Sequence, residues 1–140
     1  MSPFAELLLQ LRTKRGIRQK EFAEIMGYEQ TYLSALELDK KGPPTREFID
    51  KLVLNFQLSH EDLLSFLDAA DASKRKFVIE HPISKDAYLL IRDFRNRLPE
   101  LVDAEIDLVR KVLFFKDAMM AQRPKLNYET DSPSGKENKM

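Results

Sequence analysis

The sequence QKEFAEIMGYEQTYLSALE, residues 19–37, has the pattern of two short helices separated by Gly27. Two helices that meet at a steep angle need a small residue where they pass closest to each other, and Ala23 meets this need. The turn between them needs a positive φ, which glycine adopts without a Cβ clash. The residues predicted to face a shared core are Phe22, Ala23, Ile25, Met26, Tyr28, Leu33 and Leu36. The stretch therefore predicts two helices joined by a tight turn and packed on one core.

Helical patterns continue on both sides of this stretch, and local signals mark their ends. Residues 2–3, Ser-Pro, predict a helix start, because the hydroxyl can cap the helix and proline has no amide to leave unbonded. Gly16 predicts the end of that first helix. Thr45 is predicted to cap a fourth helix, and Ser59 with Asp62 predicts a capping box at the start of a fifth. Five helices are thus expected before residue 68.

The remainder of the chain predicts a connection and then more helix. The fifth helix is predicted to end at about Leu67, and Ser84 to cap a later helix that reaches about Leu98, followed by another from Pro99 to about Ala121. No stretch predicts a strand, so the expected fold class is all-α. The predicted organisation is a five-helix domain over 1–68, a connection over 69–83, a helical hairpin over 84–121 and a disordered tail over 122–140.

Composition excludes several classes of protein. The chain has 140 residues and no cysteine, which excludes disulfides, thiolate metal sites and a cysteine nucleophile. Its 23 basic and 23 acidic residues balance, so a DNA-binding function would require the basic groups to collect on one face. No apolar run approaches the roughly 20 residues that span a bilayer, and the N-terminal residues lack a signal-peptide pattern. We therefore expect a soluble cytoplasmic protein without a membrane partner.

Catalytic and metal-binding patterns are weak. The two histidines, His60 and His81, lie near no second ligand pattern, and no glycine-rich phosphate loop is present. Residues 59–61, Ser-His-Glu, cannot form a catalytic triad because neighbours on one helical turn do not reach that geometry. We expect neither enzymatic activity nor a cofactor or metal.

Residues 4–68 resemble the lambda-repressor-like helix-turn-helix domain, the Cro and phage-repressor type of the XRE family. The resemblance is carried by LLLQLRTKRGIRQKEFAEIMGYEQTYLSALE at 7–37, a Lys-rich turn, and PPTREFIDKLVLNFQLSHEDLL at 43–64. It implies a five-helix domain that binds double-stranded DNA, with residues 29–35 opening a recognition helix that enters the major groove. It also implies that Arg12 and Glu37 form a structural ion pair between the first and third helices.

The resemblance and the residue chemistry together suggest which side chains contact DNA. Gln19 matches a glutamine that typically binds a phosphate in this family, and Gln30 can offer a bidentate pair to adenine. Glu29 can accept from cytosine N4. The predicted base-reading residues are Gln30, Thr31, Tyr32, Ser34 and Glu29. The predicted phosphate-binding residues, which fix register rather than sequence, are Gln19, Arg18, Lys40, Lys41 and Arg46.

Residues 84–121 carry apolar stripes that are too wide for one helical hairpin to cover. Two explanations stay open: packing against residues 59–75, or an intermolecular bundle. The second is favoured because helix-turn-helix modules read paired half-sites through a two-fold partner. The predicted dimer interface consists of Ile91, Phe94, Leu98, Leu101, Leu108, Val112 and Phe115.

The leading hypothesis is a dimeric transcriptional regulator, acting as a repressor on a pseudo-palindromic operator. The alternative is an antitoxin or other protein-interaction module, in which acidic residues 59–73 or the C-terminal helices hold a protein partner and DNA binding serves autoregulation. A third hypothesis, a fold that has lost DNA binding, rests on the absence of Lys and Arg from the recognition helix, which is predicted to run from about residue 30 to 38.

Overall fold

A computed structural model describes residues 1–122 of the chain. These residues form helices and turns and contain no strand, which confirms the all-α prediction. They divide into two compact units, Met1–Glu80 and a second unit that starts at His81.

The first unit consists of five helices in the predicted order. They are α1 (Pro3–Lys14), α2 (Gln19–Met26), α3 (Gln30–Glu37), α4 (Arg46–Phe56) and α5 (His60–Ala72). Gly27 ends α2 in the left-handed conformation at φ 71°, as the turn pattern predicted. The α2–turn–α3 segment is therefore the helix pair that residues 19–37 indicated.

Three predicted helix starts can be compared with their hydrogen bonds. The Ser2 hydroxyl accepts from the amide of Ala5 at 3.2 Å. Ser59 and Asp62 form the reciprocal capping box, with side-chain to amide distances of 3.1 and 3.2 Å. Thr45 occupies the capping position of α4, but its side chain makes no capping hydrogen bond, so that prediction was right about position and wrong about the bond.

One aromatic-rich core joins all five helices. Phe22 of α2 stacks on Phe56 of α4 with ring centroids 4.8 Å apart, and Phe4 of α1 meets Phe66 of α5 edge-on at 6.0 Å. The buried apolar residues are Phe4, Ala5, Leu8, Phe22, Ala23, Met26, Leu33, Leu36, Phe48, Ile49, Leu52, Phe56, Phe66 and Ala69. The inward assignment of Ile25 was wrong, because its side chain lies at the edge of the buried face of α2 and is 42% exposed.

Helix α5 continues to Ala72, beyond the end predicted at Leu67. Ala69 is buried in the core, and the hydroxyl of Ser73 accepts from the amide of Phe4 at 2.9 Å and donates to the carbonyl of Ala69 at 2.6 Å. The predicted domain end at residue 68 therefore falls inside a helix. The last residues of α5, Asp68–Ala72, include no glycine or proline that would end the helix. The hydrogen bond between Phe4 of α1 and Ser73 stabilises the extra turn.

The second unit contains α6 (Lys85–Arg97), a 3-10 turn (Leu98–Glu100), α7 (Asp103–Leu113) and α8 (Phe115–Gln122). Ser84 caps α6, accepting from the amide of Ala87 at 3.1 Å. The second predicted helix begins at Asp103 rather than Pro99, because Pro99 lies in the 3-10 turn and the Glu105 carboxylate accepts from the Val102 amide at the new start. The helix is also interrupted at Phe114. The predicted tail, apart from Gln122, lies outside the described residues.

Candidate nucleic-acid interface

Helix α3 has a buried face and an outward polar face. Leu33 and Leu36 are buried in the core, whereas Gln30 and Thr31 are exposed and Ser34 is half-buried. Successive residues of a helix point about 100° apart, so this division presents the three polar side chains on one side of its first two turns. Glu29 occupies the capping position before them, exposed and without a side-chain capping bond.

Glu37, at the end of α3, is joined to Arg12 of α1 by two hydrogen bonds. Arg12 Nε lies 2.6 Å from Glu37 Oε1, and Nη2 lies 3.2 Å from Oε2. A third guanidinium nitrogen donates to the carbonyl of Ile17 at 3.1 Å. The Arg12 side chain is 17% exposed and that of Glu37 is 6% exposed. This bidentate pair fixes the end of α3 against α1 and the turn that precedes α2.

Gln19 extends this pair toward the outward face of α3. Its side-chain nitrogen donates to Glu37 Oε2 at 3.0 Å. Because a carboxylate only accepts hydrogen bonds, the amide nitrogen of Gln19 must face Glu37, and its carbonyl oxygen faces away from Glu37. That oxygen accepts from the side-chain nitrogen of Gln30 at 3.3 Å. A hydrogen-bonded chain thus runs from Arg12 through Glu37 and Gln19 to Gln30. It leaves the Gln30 carbonyl oxygen and one N–H of the amide available to a ligand.

Tyr32 is placed differently from the other predicted base-reading residues. Its ring lies 5.2 Å from that of Tyr28 and 6.0 Å from that of Phe48, with Lys41 Nζ 5.1 Å above it. Burial raises the pKa of the Tyr32 phenol, and neighbouring Tyr28 adds to the rise. The Tyr32 ring therefore packs on Tyr28 and Phe48, between α3 and α4, and does not join Gln30, Thr31 and Ser34 on the outward face.

The predicted phosphate-binding residues lie at three places: the start of α2, the turn after α3 and the start of α4. Arg18 is exposed at the start of α2, beside Gln19. Lys40 and Lys41 are exposed in the turn that follows α3. Arg46, at the start of α4, donates to Asp50 at 2.9 Å, but both side chains are exposed, so the pair contributes little and leaves Arg46 able to bind another anion.

A basic segment that the sequence reading did not assign lies beside the turn after α3. A guanidinium nitrogen of Arg75 donates to the backbone carbonyl of Asp39, which has φ 57°. The carboxylate of Asp39 accepts from the amide of Ser2 at 2.6 Å. Hydrogen bonding from Ser2 lowers the pKa of the Asp39 carboxyl against a smaller opposing effect of burial. The run Lys-Arg-Lys at 74–76 was visible in the sequence, but nothing in the run indicated which surface it would join.

None of the predicted dimer-interface residues is buried in the second unit. Ile91 and Leu101 are half-buried and the other five are exposed: Phe94, Leu98, Leu108, Val112 and Phe115. No residue from His81 to Ala121 is buried. Helices α6, α7 and α8 therefore expose many large apolar side chains.

Residues 1–122 contain no group of three or more His, Asp or Glu side chains placed to hold a metal ion. Within these residues, no helix combines the length and the apolar character needed to cross a bilayer.

Comparison with known proteins bears on the first unit. Residues 5–65 match a family model described as a helix-turn-helix domain, a range that includes the whole of α2, α3 and α4. No curated protein and no solved structure matches the chain.

Proposed function

With a helix-turn-helix domain in residues 5–65 as the premise, we propose that this protein is a dimeric regulator that reads double-stranded DNA in the cytoplasm. Helix α3 enters the major groove, and the protein represses transcription by occluding a promoter. The observation that carries the proposal is the chain Arg12–Glu37–Gln19–Gln30, which orients a glutamine amide at the start of α3.

The chemistry of the outward face supports base reading. An amide oxygen and an amide N–H side by side match N6 and N7 of adenine, a pair worth about 1–3 kcal/mol of discrimination. Gln30 keeps both groups available after its hydrogen bond to Gln19. Thr31 can place its methyl group against that of thymine, Ser34 can bond to several bases, and Glu29 can accept from cytosine N4.

The flanking basic residues would supply the nonspecific part of the affinity. Helix α3 itself contains no Lys or Arg, so phosphate binding falls to residues outside it. In this proposal Arg18 and Gln19 hold one backbone, while Lys40, Lys41 and Arg46 hold phosphates near the other end of α3. Such contacts fix register and orientation but carry no sequence information.

Dimerisation through the second unit would pair two copies of α3. A helix-turn-helix dimer reads half-sites about 34 Å apart, one turn of the duplex, which gives a pseudo-palindromic operator. The exposed apolar side chains of α6 to α8 suit a second copy, since burial of one large apolar side chain contributes about 1.5–3 kcal/mol. Five of the seven predicted interface residues are exposed in the single chain and would lose that exposure in a dimer.

Replacing Gln30 by alanine is expected to relax specificity at one base position, at a cost of about 1–3 kcal/mol on the preferred site. Replacing Lys41 by glutamine should instead weaken binding to all duplexes alike. Selection of sites from a random duplex library, followed by titration of the winning sequence and a scrambled one, separates the two effects. Unchanged binding by both variants would contradict the docking of α3 that we propose.

Replacing Phe94 by glutamate is expected to convert the dimer to a monomer at micromolar concentration, because the charge would be buried in the apolar interface. Asn96→Glu is the matched control, since it adds the same charge on the opposite side of α6. Sedimentation velocity reports the mass, and thermal unfolding verifies that the first unit stays folded. A Phe94→Glu protein that remains dimeric would exclude α6 from the interface.

The alternative, a module that holds a protein partner, has a distinct expected outcome. The exposed apolar side chains of α6 to α8 also support this alternative, because they could pack against a different protein. If site selection enriches no inverted repeat while the chain is folded and monomeric, the apolar helices serve a partner of another kind. Enrichment of an inverted repeat by a dimeric chain would exclude binding of a protein partner as the main function.

A further inference from the structure

The three basic residues after α5 begin at a fixed point of the first unit. Ser73 is buried, and its hydroxyl joins the amide of Phe4 to the carbonyl of Ala69. Two residues later, Arg75 donates to the carbonyl of Asp39. Ser73 therefore anchors the segment 74–76 at its start, and Arg75 anchors it at its middle.

Asp39 makes the segment a neighbour of the turn after α3. It directly precedes Lys40 and Lys41, whose amides both donate to the carbonyl of Ala35 in the last turn of α3. The contact between Arg75 and Asp39 thus brings residues 74–76 next to the two lysines of this turn. Five basic residues thus belong to two segments that one hydrogen bond joins after the end of α3; this basic cluster consists of Lys40, Lys41, Lys74, Arg75 and Lys76.

The first unit has almost no net charge, so a local cluster of basic residues matters for binding an anion. Residues 1–80 contain 12 Lys or Arg and 13 Asp or Glu, so the unit as a whole does not attract a polyanion. Nearly half of those basic residues lie in the cluster. Long-range attraction to DNA must then come from local concentrations of positive charge.

The lysines of the segment are free to bind an external anion. Lys74 pairs with Asp71 at 3.2 Å, but both side chains are mostly exposed, and such pairs contribute little. Lys76 is exposed and belongs to none of the ion pairs found in residues 1–122.

We propose that Lys74 and Lys76 bind phosphates of the duplex and extend the backbone contact of Lys40 and Lys41 beyond the end of α3. This inference rests on the proposed function and names a contact that the helix-turn-helix segment itself does not contain. Phosphate is the favoured ligand because the segment continues a surface whose nearest members, Lys40 and Lys41, flank the base-reading helix. A contact of this type strengthens binding to every sequence and leaves base preference unchanged.

The test compares full-length wild-type protein with Lys74→Gln/Lys76→Gln on the selected operator between about 50 and 200 mM salt. Each phosphate contact contributes about 0.9 to the slope of log K against log salt. The double variant is expected to lose about 1.8 from the slope, with the same ranking of operator sequences. Thermal unfolding should be unchanged, since both side chains are exposed.

Two controls make the result specific. Lys74→Arg/Lys76→Arg retains both charges and should keep the wild-type slope. Lys85→Gln/Lys111→Gln removes two charges from the second unit and should also keep it. A wild-type slope for the Lys74→Gln/Lys76→Gln protein on a well-bound operator would overturn this inference alone. Failure of the wild-type protein to bind any duplex would instead overturn the proposed function.

Discussion

Replacing Glu37 by alanine is expected to lower the free energy of unfolding by about 3–5 kcal/mol, because it strands the charge of Arg12. The guanidinium is largely buried and makes two of its three hydrogen bonds to this carboxylate. The same substitution removes the acceptor that orients Gln19. Urea unfolding at constant m-value measures the loss. If Gln30 reads a base as we propose, the remaining folded protein should also discriminate less at that base.

A double-mutant cycle isolates the coupling between the two side chains. Arg12→Ala/Glu37→Ala should cost less than the sum of the two single substitutions, by about 0.5–3 kcal/mol. Glu47→Ala is the matched surface control, because Glu47 pairs with Lys51 across 3.7 Å while both side chains are well exposed. Its expected cost is at most about 1 kcal/mol. Additive costs in the cycle would mean that the pair contributes no coupling to the fold.

Replacing Phe48 by alanine is expected to cost about 3–5 kcal/mol as well, through lost burial and the cavity left behind. The side chain is 1% exposed. It meets the rings of Phe4, Tyr28 and Tyr32 at centroid distances of 6.4, 5.2 and 6.0 Å, so its removal takes a partner from three aromatic side chains at once. For a unit of this size each kcal/mol corresponds to about 4–8 °C in melting temperature.

Phe77→Ala is the control for this core substitution. Phe77 is 77% exposed, and a substitution on the surface is expected to change stability by no more than about 0.5 kcal/mol. Calorimetry of the two variants beside the wild type provides the comparison. Equal and small effects for Phe48 and Phe77 would contradict the position of Phe48 at the centre of the core.

Local signals in the sequence were sufficient for much of the fold. The capping bond of Ser2, the capping box of Ser59 and Asp62, and the left-handed Gly27 were all predicted correctly. Each depends on residues at most a few positions apart, so a short stretch contains the whole interaction. The matched family range, residues 5–65, agrees with the helix-turn-helix interpretation of the same segment.

Features that depend on distant residues were not predictable in this way. The last turn of α5 is held by a bond between Ser73 and Phe4, which no local pattern reveals. The Tyr32 ring packs against Phe48 of α4, a contact between residues 16 positions apart that the local pattern does not show. The basic segment containing Arg75 is placed by two distant partners, Phe4, which bonds to Ser73, and Asp39, 36 residues before Arg75 in the chain. The orientation of Gln30 likewise depends on a carboxylate at the far end of α3, relayed through Gln19.

The division of α3 into a buried and an outward face has a consequence for how such a protein diversifies. Thr31 is exposed, Ser34 is half-buried, and neither belongs to the buried core. Under the proposed function, their replacement should alter the preferred operator at little cost to folding. Gln30 is different, since its hydrogen bond to Gln19 links a residue of the outward face to the Arg12–Glu37 pair. Descendants of this chain should therefore vary independently at 31 and 34, whereas positions 19 and 30 should change together.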